Sequence, residues 1–469
     1  MRICLIAEGS YPYVLGGVSS WVNTIIRSYP EHEFIIYSIS VEASKKGKYK
    51  YDIPENVVEI VDVFLDEIEL VKYKTGKKYS IDKNQEKALQ NLFSGNDVEW
   101  KDIFKFFSSG KIKSIGEFFM SKNFYSFVEK TYKEKYQYTP FTEFIWNVRS
   151  MYLTLFYLLS KKPPKADVYH SICTGYAGVI SAYGKYLYDS PVILSEHGIY
   201  TREREEEIIK STWIKPYHKE MWTRYFNNLS RCAYGYSDVV TSLFMQNKKL
   251  QVEFGCNEGK IKLIPNGVEI KDYEGLPTKE DNSVVNIGSI ARIVPIKDIK
   301  TMLLSFNIVK RTVQNSKFYI MGPIDEDEEY YKECLNLVKD LDIKDVIFTG
   351  TVKVSEYINK MDVLVLTSIS EGQPLAVMEA MATKKPLVCT DVGHCRGLLY
   401  GYGDNYGQCG FIEAVTDYEG IAKSITKLAI DEELRNDMGK SGYERVRNIY
   451  TKELMISSYR DMYCQYERI

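Results

Sequence analysis

Short apolar runs alternate with stretches of helical periodicity along almost the whole chain, and this alternation is what most limits the fold. A brief run that is apolar at nearly every position suits a strand buried on both faces, as in a parallel sheet. Parallel neighbours need a long crossover between them, which the amphipathic stretches supply. Runs at residues 3–7, 34–39, 57–61, 167–170, 192–195, 239–242 and 261–264 form a first series. Runs at 284–290, 318–321, 346–348, 363–367 and 387–390 form a second. Between them lie the turn Pro265-Asn266-Gly267 and a polar stretch at 271–282, which reads as a linker. The expectation is an α/β fold of two doubly wound, Rossmann-like domains, hinged near residue 270 and facing each other across a cleft. A length of 469 residues accommodates that. Ligands in such sheets bind beyond the carboxyl ends of the strands.

The alternation breaks at about 67–140, a stretch rich in Lys, Phe and Tyr. Ile115 with Phe118 and Phe119, and Phe124 with Phe127, have helical spacing, so a helical insertion in the first domain is expected. It is either a packed cap or a docking surface. Residues 141–160 are apolar enough to raise the question of a membrane span, but Glu143 and Arg149 interrupt them, and a buried amphipathic helix is expected. The apolar start of the chain meets Glu8 too soon for a signal peptide. The nine cysteines are scattered without a C-x-x-C pair, which points to a reducing, cytoplasmic setting. A formal charge of −2 gives no reason to expect a nucleic-acid partner.

The segment Ser368-Ile369-Ser370-Glu371-Gly372-Gln373-Pro374-Leu375-Ala376-Val377-Met378-Glu379 carries the most chemistry. It follows a buried strand. Gly372 permits a tight turn, and Pro374 suits a helix start because its missing donor is one the helix leaves unpaired anyway. Free N–H groups at Leu375 and Ala376 then suit a phosphate. Glu379 lies about one turn further in and Glu371 lies before the helix, so two carboxylates straddle the phosphate position and can accept from diols. The alternative is a pair of ordinary surface acids. Arg292 and Lys297 follow the strand at 284–290 and offer fixed cations for a leaving diphosphate; otherwise they are two solvated basic residues.

Glu8 to Val18 contains Gly16 and Gly17, which let backbone approach a ligand or simply turn. Among the five histidines, His170 and His197 stand at the ends of expected strands, where a histidine touches substrate or fills a structural role. The run at 201–207 reads as a solvated helix face. Asp325-Glu326-Asp327 matches a metal-binding D-x-D pattern but lies in an acidic run at a helix start, where the macrodipole favours carboxylates. No metal site is expected.

Glu371 and Glu379, with seven residues between them, and the pair Arg292 and Lys297 resemble the E-x7-E block and diphosphate cations of the family 4 retaining glycosyltransferases, which have the two-domain GT-B fold. That family's lysine is often followed by glycine, and here Asp298 follows. The blocks at 8–21 and 196–203 are similar to those of the Pel-type exopolysaccharide glycosyltransferases.

The resemblance implies an acceptor domain at 1–270, a nucleotide-sugar donor domain at 271–450, and a C-terminal helix at 451–469 returning toward the first domain. It implies transfer of a hexose or N-acetylhexosamine from a UDP-sugar to a growing exopolysaccharide, with retention and with no metal or other cofactor. Glu371 would hold the sugar's 3- and 4-hydroxyls and Glu379 the ribose. Arg292, Lys297 and the segment Gly372, Gln373, Pro374, Leu375 and Ala376 would hold the diphosphate. Gly16 and Gly17 would approach diphosphate and acceptor, His197 would lie beside the sugar, and Thr351, Val352 and Lys353 would contact the base. Partners would be a polysaccharide acceptor and membrane-embedded polysaccharide synthase or export proteins, with the chain cytoplasmic and peripheral at the inner membrane face. The competing readings are a non-hydrolysing nucleotide-sugar epimerase and a non-catalytic UDP-sugar-binding component of a membrane assembly.

Overall fold

The computed structural model describes residues 1–68, 76–112, 114–279 and 281–467. The chain divides into two units, Met1–Leu263 with Arg460–Ile469, and Ile264–Tyr459.

In the first unit, β1 (Arg2–Glu8), β2 (Glu33–Ser40), β3 (Val57–Phe64), β4 (Val168–Ser171), β5 (Val192–Glu196), β6 (Val239–Ser242) and β7 (Ile261–Leu263) form one sheet in the order β3-β2-β1-β4-β5-β6-β7. Every pairing is parallel. The central strands β1, β4, β5 and β6 are buried along nearly their whole length, which is why they read as unbroken apolar runs. Strand order reverses between β1 and β4, so the loops after these two strands diverge and open a crevice at their carboxyl ends. The helix Tyr176–Tyr188 packs on β1, β4 and β5.

The insertion is helical over Lys83–Ser94, Trp100–Ser108, Ile115–Phe119 and Lys122–Thr131. The expected start of the insertion includes residues 69–75, which lie outside the described residues. A capping box opens the first helix: Asp82 accepts from Gln85 N while the Gln85 side chain returns to Asp82 N. Ile115, Phe118, Phe119, Phe124 and Phe127 are all buried, and rings such as Phe119 and Phe124 meet edge to face at 4.9 Å. The helical stripe is therefore the core of a packed cap. Truncating a ring such as Phe118 to alanine would cost about 3–5 kcal/mol. Phe141–Ser160 forms a helix whose Arg149 reaches Phe119 O at 2.7 Å. Among the described residues no helix is long and apolar enough to cross a membrane.

In the second unit, β8 (Val285–Ile290), β9 (Ser316–Met321), β10 (Val346–Gly350), β11 (Val363–Leu366), β12 (Leu387–Thr390) and β13 (Gly410–Glu413) form a parallel sheet in the order β10-β9-β8-β11-β12-β13. The order reverses between β8 and β11, the strands that deliver Arg292, Lys297 and Glu371. The final strand is absent from the sequence reading because only Phe411 and Ile412 mark it as apolar, too short a run to separate from a turn.

The division falls at Leu263/Ile264, short of residue 270. Val268 bridges Thr451, its N–H donating to Tyr450 O at 2.9 Å, so the turn Pro265-Asn266-Gly267 is bound into the second unit. Gly267 has no room for a side chain there: a Cβ would stand 2.1 Å from Thr451 O. The helix Lys452–Cys464 likewise starts in the second unit, and only Arg460 onward groups with the first.

Candidate active site

Lys297 and Glu371 come together because two loops at the reversal point of the second sheet are tied to each other. Ile369 N donates to Ile296 O at 2.9 Å, and the Thr367 hydroxyl lies 3.0 Å from both Lys297 O and Asp298 O. Lys297 Nζ then donates to Glu371 Oε1 at 2.6 Å, with 20% and 12% of the two side chains exposed. The Ser368 hydroxyl donates to the same oxygen at 2.6 Å, and among the described residues no hydrogen bond reaches Glu371 Oε2. Asp298, where the family pattern often has glycine, has φ 47° and ψ 55°. That left-handed conformation suits glycine or a short acid, and Asp298 uses it to cap the helix Ile299–Thr312, accepting from Thr301 N at 3.3 Å.

Arg292 leaves the sheet just after β8. Gly322 lets it pass, since a Cβ there would stand 2.1 Å from Ala291 O. The Arg292 guanidinium meets Glu326 Oε2 at 2.7 Å, with both side chains more than a third exposed. An ion pair so solvated is worth at most about 1 kcal/mol, so an incoming phosphate can compete for this arginine.

The backbone of Glu371 and Gly372 is buttressed from behind. His394 N donates to Gly372 O at 2.8 Å, and a Cβ on Gly393 would stand 2.2 Å from that same oxygen. Gln373 is buried, its Oε1 accepting from Asn266 N at 2.7 Å while its Nε2 has no partner among the described residues. An unpaired buried donor costs stability unless something accepts from it, and this one precedes the helix Leu375–Ala382 by two residues. Pro374 opens that helix, and the N–H groups of Leu375 and Ala376 begin it. Glu379 is half-buried one turn further in. Burial raises its pKa, and a hydrogen bond from the Tyr273 hydroxyl works the other way. Thr351, Val352 and Lys353 follow the edge strand β10, two strands from the reversal point. Thr351 and Lys353 are exposed, and Val352 packs on the core.

Asp327 caps the helix Glu328–Asp340 by accepting from Tyr330 N at 2.9 Å, and Glu326 pairs with Arg292. The acidic run thus acts at a helix start. Among the described residues no cluster of His, Cys, Asp and Glu has the form of a metal site.

In the first unit, His197 follows β5 directly. Its ring meets Trp21 edge-on at 4.6 Å, its Nε2 is buried without a partner among the described residues, and burial lowers its pKa to about 4. His197 is therefore neutral and holds one unspent hydrogen-bonding atom. His170 is different: fully buried, it meets Tyr463 Oη at 2.6 Å and Ser195 Oγ at 2.8 Å, and its role is structural. Gly16 and Gly17 are exposed at the start of the helix Gly17–Ser28, with nothing within 4 Å of a Cβ on either. The run at 201–207 lies on the helix Tyr200–Lys210, with Arg202–Glu206 and Arg204–Glu207 pairs at 3.2 and 2.8 Å.

Several residues here have no single-residue signal in the sequence. Two carboxylates grip Tyr200: Glu196 Oε1 accepts from its N–H and Glu8 Oε1 from its hydroxyl, both at 3.2 Å. Glu8 Oε2 also accepts from Ala177 N at 3.2 Å. Glu196 is 2% exposed and accepts further from Tyr234 Oη at 2.7 Å and Gln251 Nε2 at 3.0 Å; burial raises its pKa to about 7. A carboxylate directly after an apolar strand is the available hint for Glu8 and Glu196. Ser368 lies in the segment that carries the most chemistry, but nothing there marks it as a partner of Glu371, and Tyr273 carries no hint.

Two parallel sheets with reversed strand order, and a cation–carboxylate pair at a helix start beyond the second, define a class. Residues 277–445 match glycosyl transferases group 1, so the second unit is a group 1 glycosyl transferase domain. Residues 1–259, more than half of the chain, match the domain of unknown function DUF3492, and the chain belongs to that family. It is 29% identical over 229 residues to the capsular polysaccharide biosynthesis glycosyltransferase CapM of Staphylococcus aureus, covering 48% of this chain and 57% of that one. It is 26% identical over 250 residues to the N-acetyl-alpha-D-glucosaminyl L-malate synthase of Bacillus anthracis, covering 50% and 62%. The chain thus spans about three fifths of the length of these curated relatives. In fold it is similar to Anabaena Alr3699/HepE in complex with UDP, with a TM-score of 0.63 and 12% identity over 99% of this chain and all of that one. It is similar likewise to the sucrose-phosphate synthase of Thermosynechococcus elongatus, with a TM-score of 0.63 and 15% identity over 99% and 98%. Both sheets thus have the GT-B pattern.

Proposed function

We propose that the chain transfers a hexose or N-acetylhexosamine from a UDP-sugar to a growing Pel-type exopolysaccharide, with retention and without a metal ion. The observation that carries the reading is the Lys297–Glu371 pair beside the start of the helix Leu375–Ala382, with Glu379 one turn inside. The Anabaena protein has been seen with UDP and with UDP-glucose, which supports a uridine donor. An Escherichia coli relative, 22% identical over 329 residues, is a UDP-Gal-dependent galactosyltransferase, and CapM serves capsular polysaccharide. The Pel type rests on the blocks at 8–21 and 196–203.

Lys297, Arg292, Gln373 Nε2 and the N–H groups of Leu375 and Ala376 hold the diphosphate and take up charge as UDP departs. Glu379 accepts from the ribose and Glu371 Oε2 from the sugar hydroxyls. His197, neutral and with an unspent Nε2, can hydrogen-bond the sugar without adding charge. The bond from the anomeric carbon to the β-phosphate oxygen breaks, the acceptor oxygen bonds on the same face, and its proton passes to the departing phosphate. Thr351, Val352 and Lys353 meet the base, and Gly16 and Gly17 leave room for diphosphate and acceptor. The chain works in the cytoplasm, peripheral to the inner membrane face, beside membrane-embedded synthase or export proteins.

A panel of UDP-sugars, followed by titration calorimetry and product analysis with and without EDTA, tests this. Binding and α-linked product that survive EDTA are expected. Turnover restored only by added Mg2+ or Mn2+ removes the metal-free mechanism, and failure to bind any UDP-sugar removes the reading.

A further inference from the structure

Exposed lysines and exposed aliphatic side chains meet on one pair of loops in the first unit. The loop after β2 carries Lys45, Lys46, Lys48 and Lys50, all exposed, in a chain whose formal charge is −2. Lys45 pairs with Glu42 at 2.9 Å and Lys46 faces Asp62, but no ion pair among the described residues joins Lys48 or Lys50. The loop after β1 presents Leu15, 67% exposed, and Val14, 46% exposed; Val41, just past β2, is 65% exposed.

These loops are fastened together. Lys50 N donates to Pro12 O at 2.9 Å, and Gly47 N to Tyr13 Oη at 3.4 Å. Tyr51 stands against Tyr11 at 5.3 Å between ring centroids, and Tyr49 against Tyr13 at 5.4 Å. Tyr11 and Tyr13 are themselves buried, so the tyrosine layer seats the lysine loop on the unit's core. Fixed loops that hold Leu15 and Val14 in water spend hydrophobic free energy that a partner recovers.

We propose that the paired loops at 11–15 and 41–50 dock on an anionic lipid membrane, with Val14 and Leu15 entering the acyl boundary and the lysines at the headgroups. The two kinds of side chain together decide the partner. A polyanionic glycan satisfies the lysines and offers nothing to Leu15; an apolar protein surface satisfies Leu15 and strands the lysines. An anionic bilayer takes both. Gly16 and Gly17 adjoin Leu15, so docking brings the start of the helix Gly17–Ser28 to the membrane surface. The purpose of this docking rests on the reading of a transferase that works beside the membrane; the surface itself is tested separately.

The test is sedimentation of the full chain with vesicles of phosphatidylcholine alone or with about 30% phosphatidylglycerol. Binding to the anionic vesicles, weakened by salt and absent from the neutral ones, is expected. Lys46→Gln/Lys48→Gln/Lys50→Gln should lower partitioning about a hundredfold, and Leu15→Ser about tenfold at low and high salt alike. Melting curves verify that each variant is folded. The proposal is overturned if the wild-type chain ignores anionic vesicles, or if the folded triple variant sediments as the wild type does. UDP binding, measured without vesicles, keeps the two readings apart: UDP binding without vesicle binding removes the docking surface alone, and vesicle binding without UDP binding removes the transferase reading alone.

Discussion

Lys297 Nζ and Glu371 Oε1 stand 2.6 Å apart at the reversal point of the second sheet, and each holds the other's position. The pair thus restrains the lysine without any ligand. Removing the carboxylate's charge frees the cation, and removing the cation leaves a carboxylate where the proposed donor's diphosphate would bind.

Glu371→Gln should therefore leave UDP affinity unchanged or tighter while lowering turnover about ten- to a hundredfold, as expected for loss of a charge-assisted hydrogen bond to the sugar. Glu379→Gln should weaken UDP and UDP-sugar together. Titration calorimetry and initial rates on folded variants read the two outcomes; equal loss of UDP affinity in both would end the assignment of these residues to opposite ends of the donor.

Tyr273 donates to Glu379 and opposes the upward push of burial on its pKa. In the proposed transferase Glu379 accepts from the ribose in its ionised form, so on that proposal UDP affinity should fall as pH falls through the Glu379 pKa. Tyr273→Phe removes the opposing hydrogen bond and should move that fall to higher pH. Calorimetric titrations across a pH series would show it, and coincident profiles would rule it out.

The buried Glu196 has a pKa of about 7, raised from 4.5. The folded state therefore holds a proton that the unfolded chain has released between those values. Its contribution to stability is full below about pH 4.5 and declines as pH rises to about 7, by roughly 3 kcal/mol in all. Glu196→Gln, which imitates the protonated acid, should lack this decline. Urea unfolding at about pH 5 and about pH 8 measures the difference in slope; parallel behaviour of the two proteins would contradict it.

Arg445 is completely buried and pairs with Asp404 through Nε–Oδ2 and Nη2–Oδ1 contacts of 2.9 and 2.8 Å, while donating to Leu398 O, Leu399 O and Gly407 O. Arg445→Met leaves the Asp404 charge and these carbonyls unsatisfied and should destabilise the second unit by about 3–5 kcal/mol. Adding Asp404→Asn should recover part of the loss. Calorimetric melting of both variants checks this.

The sheets were legible because β1, β4, β8 and β11 are buried on both faces and so show as bare apolar runs. The candidate donor residues were legible because Gly372, Pro374 and the flanking acids lie in one short segment. Pairing across the fold was not. Nothing in spacing says that Lys297 meets Glu371 or that Glu326 meets Arg292, because each pair joins loops from different strands. His170 and His197 look alike in sequence, each at a strand's end, and differ only in that Tyr463 and Ser195 consume both nitrogens of the first. The division between units escaped for a similar reason, since Val268 is claimed by Thr451 from far along the chain.

The return of the chain to the first unit from Arg460 onward sets an order of events during synthesis. The second unit is contiguous, and its two ends are joined where Val268 meets Thr451, so it can close as soon as its own residues have emerged. The first unit begins earlier and finishes later. Tyr463, which meets His170 in the middle of the sheet, and Arg460, which pairs with Glu31 at 2.6 Å, leave the ribosome after all of the second unit. Although domains generally fold as units from the N-terminus onward, here the first to start is the later to be completed, and a nascent chain stalled before residue 460 carries a first unit that lacks the Tyr463 contact to His170.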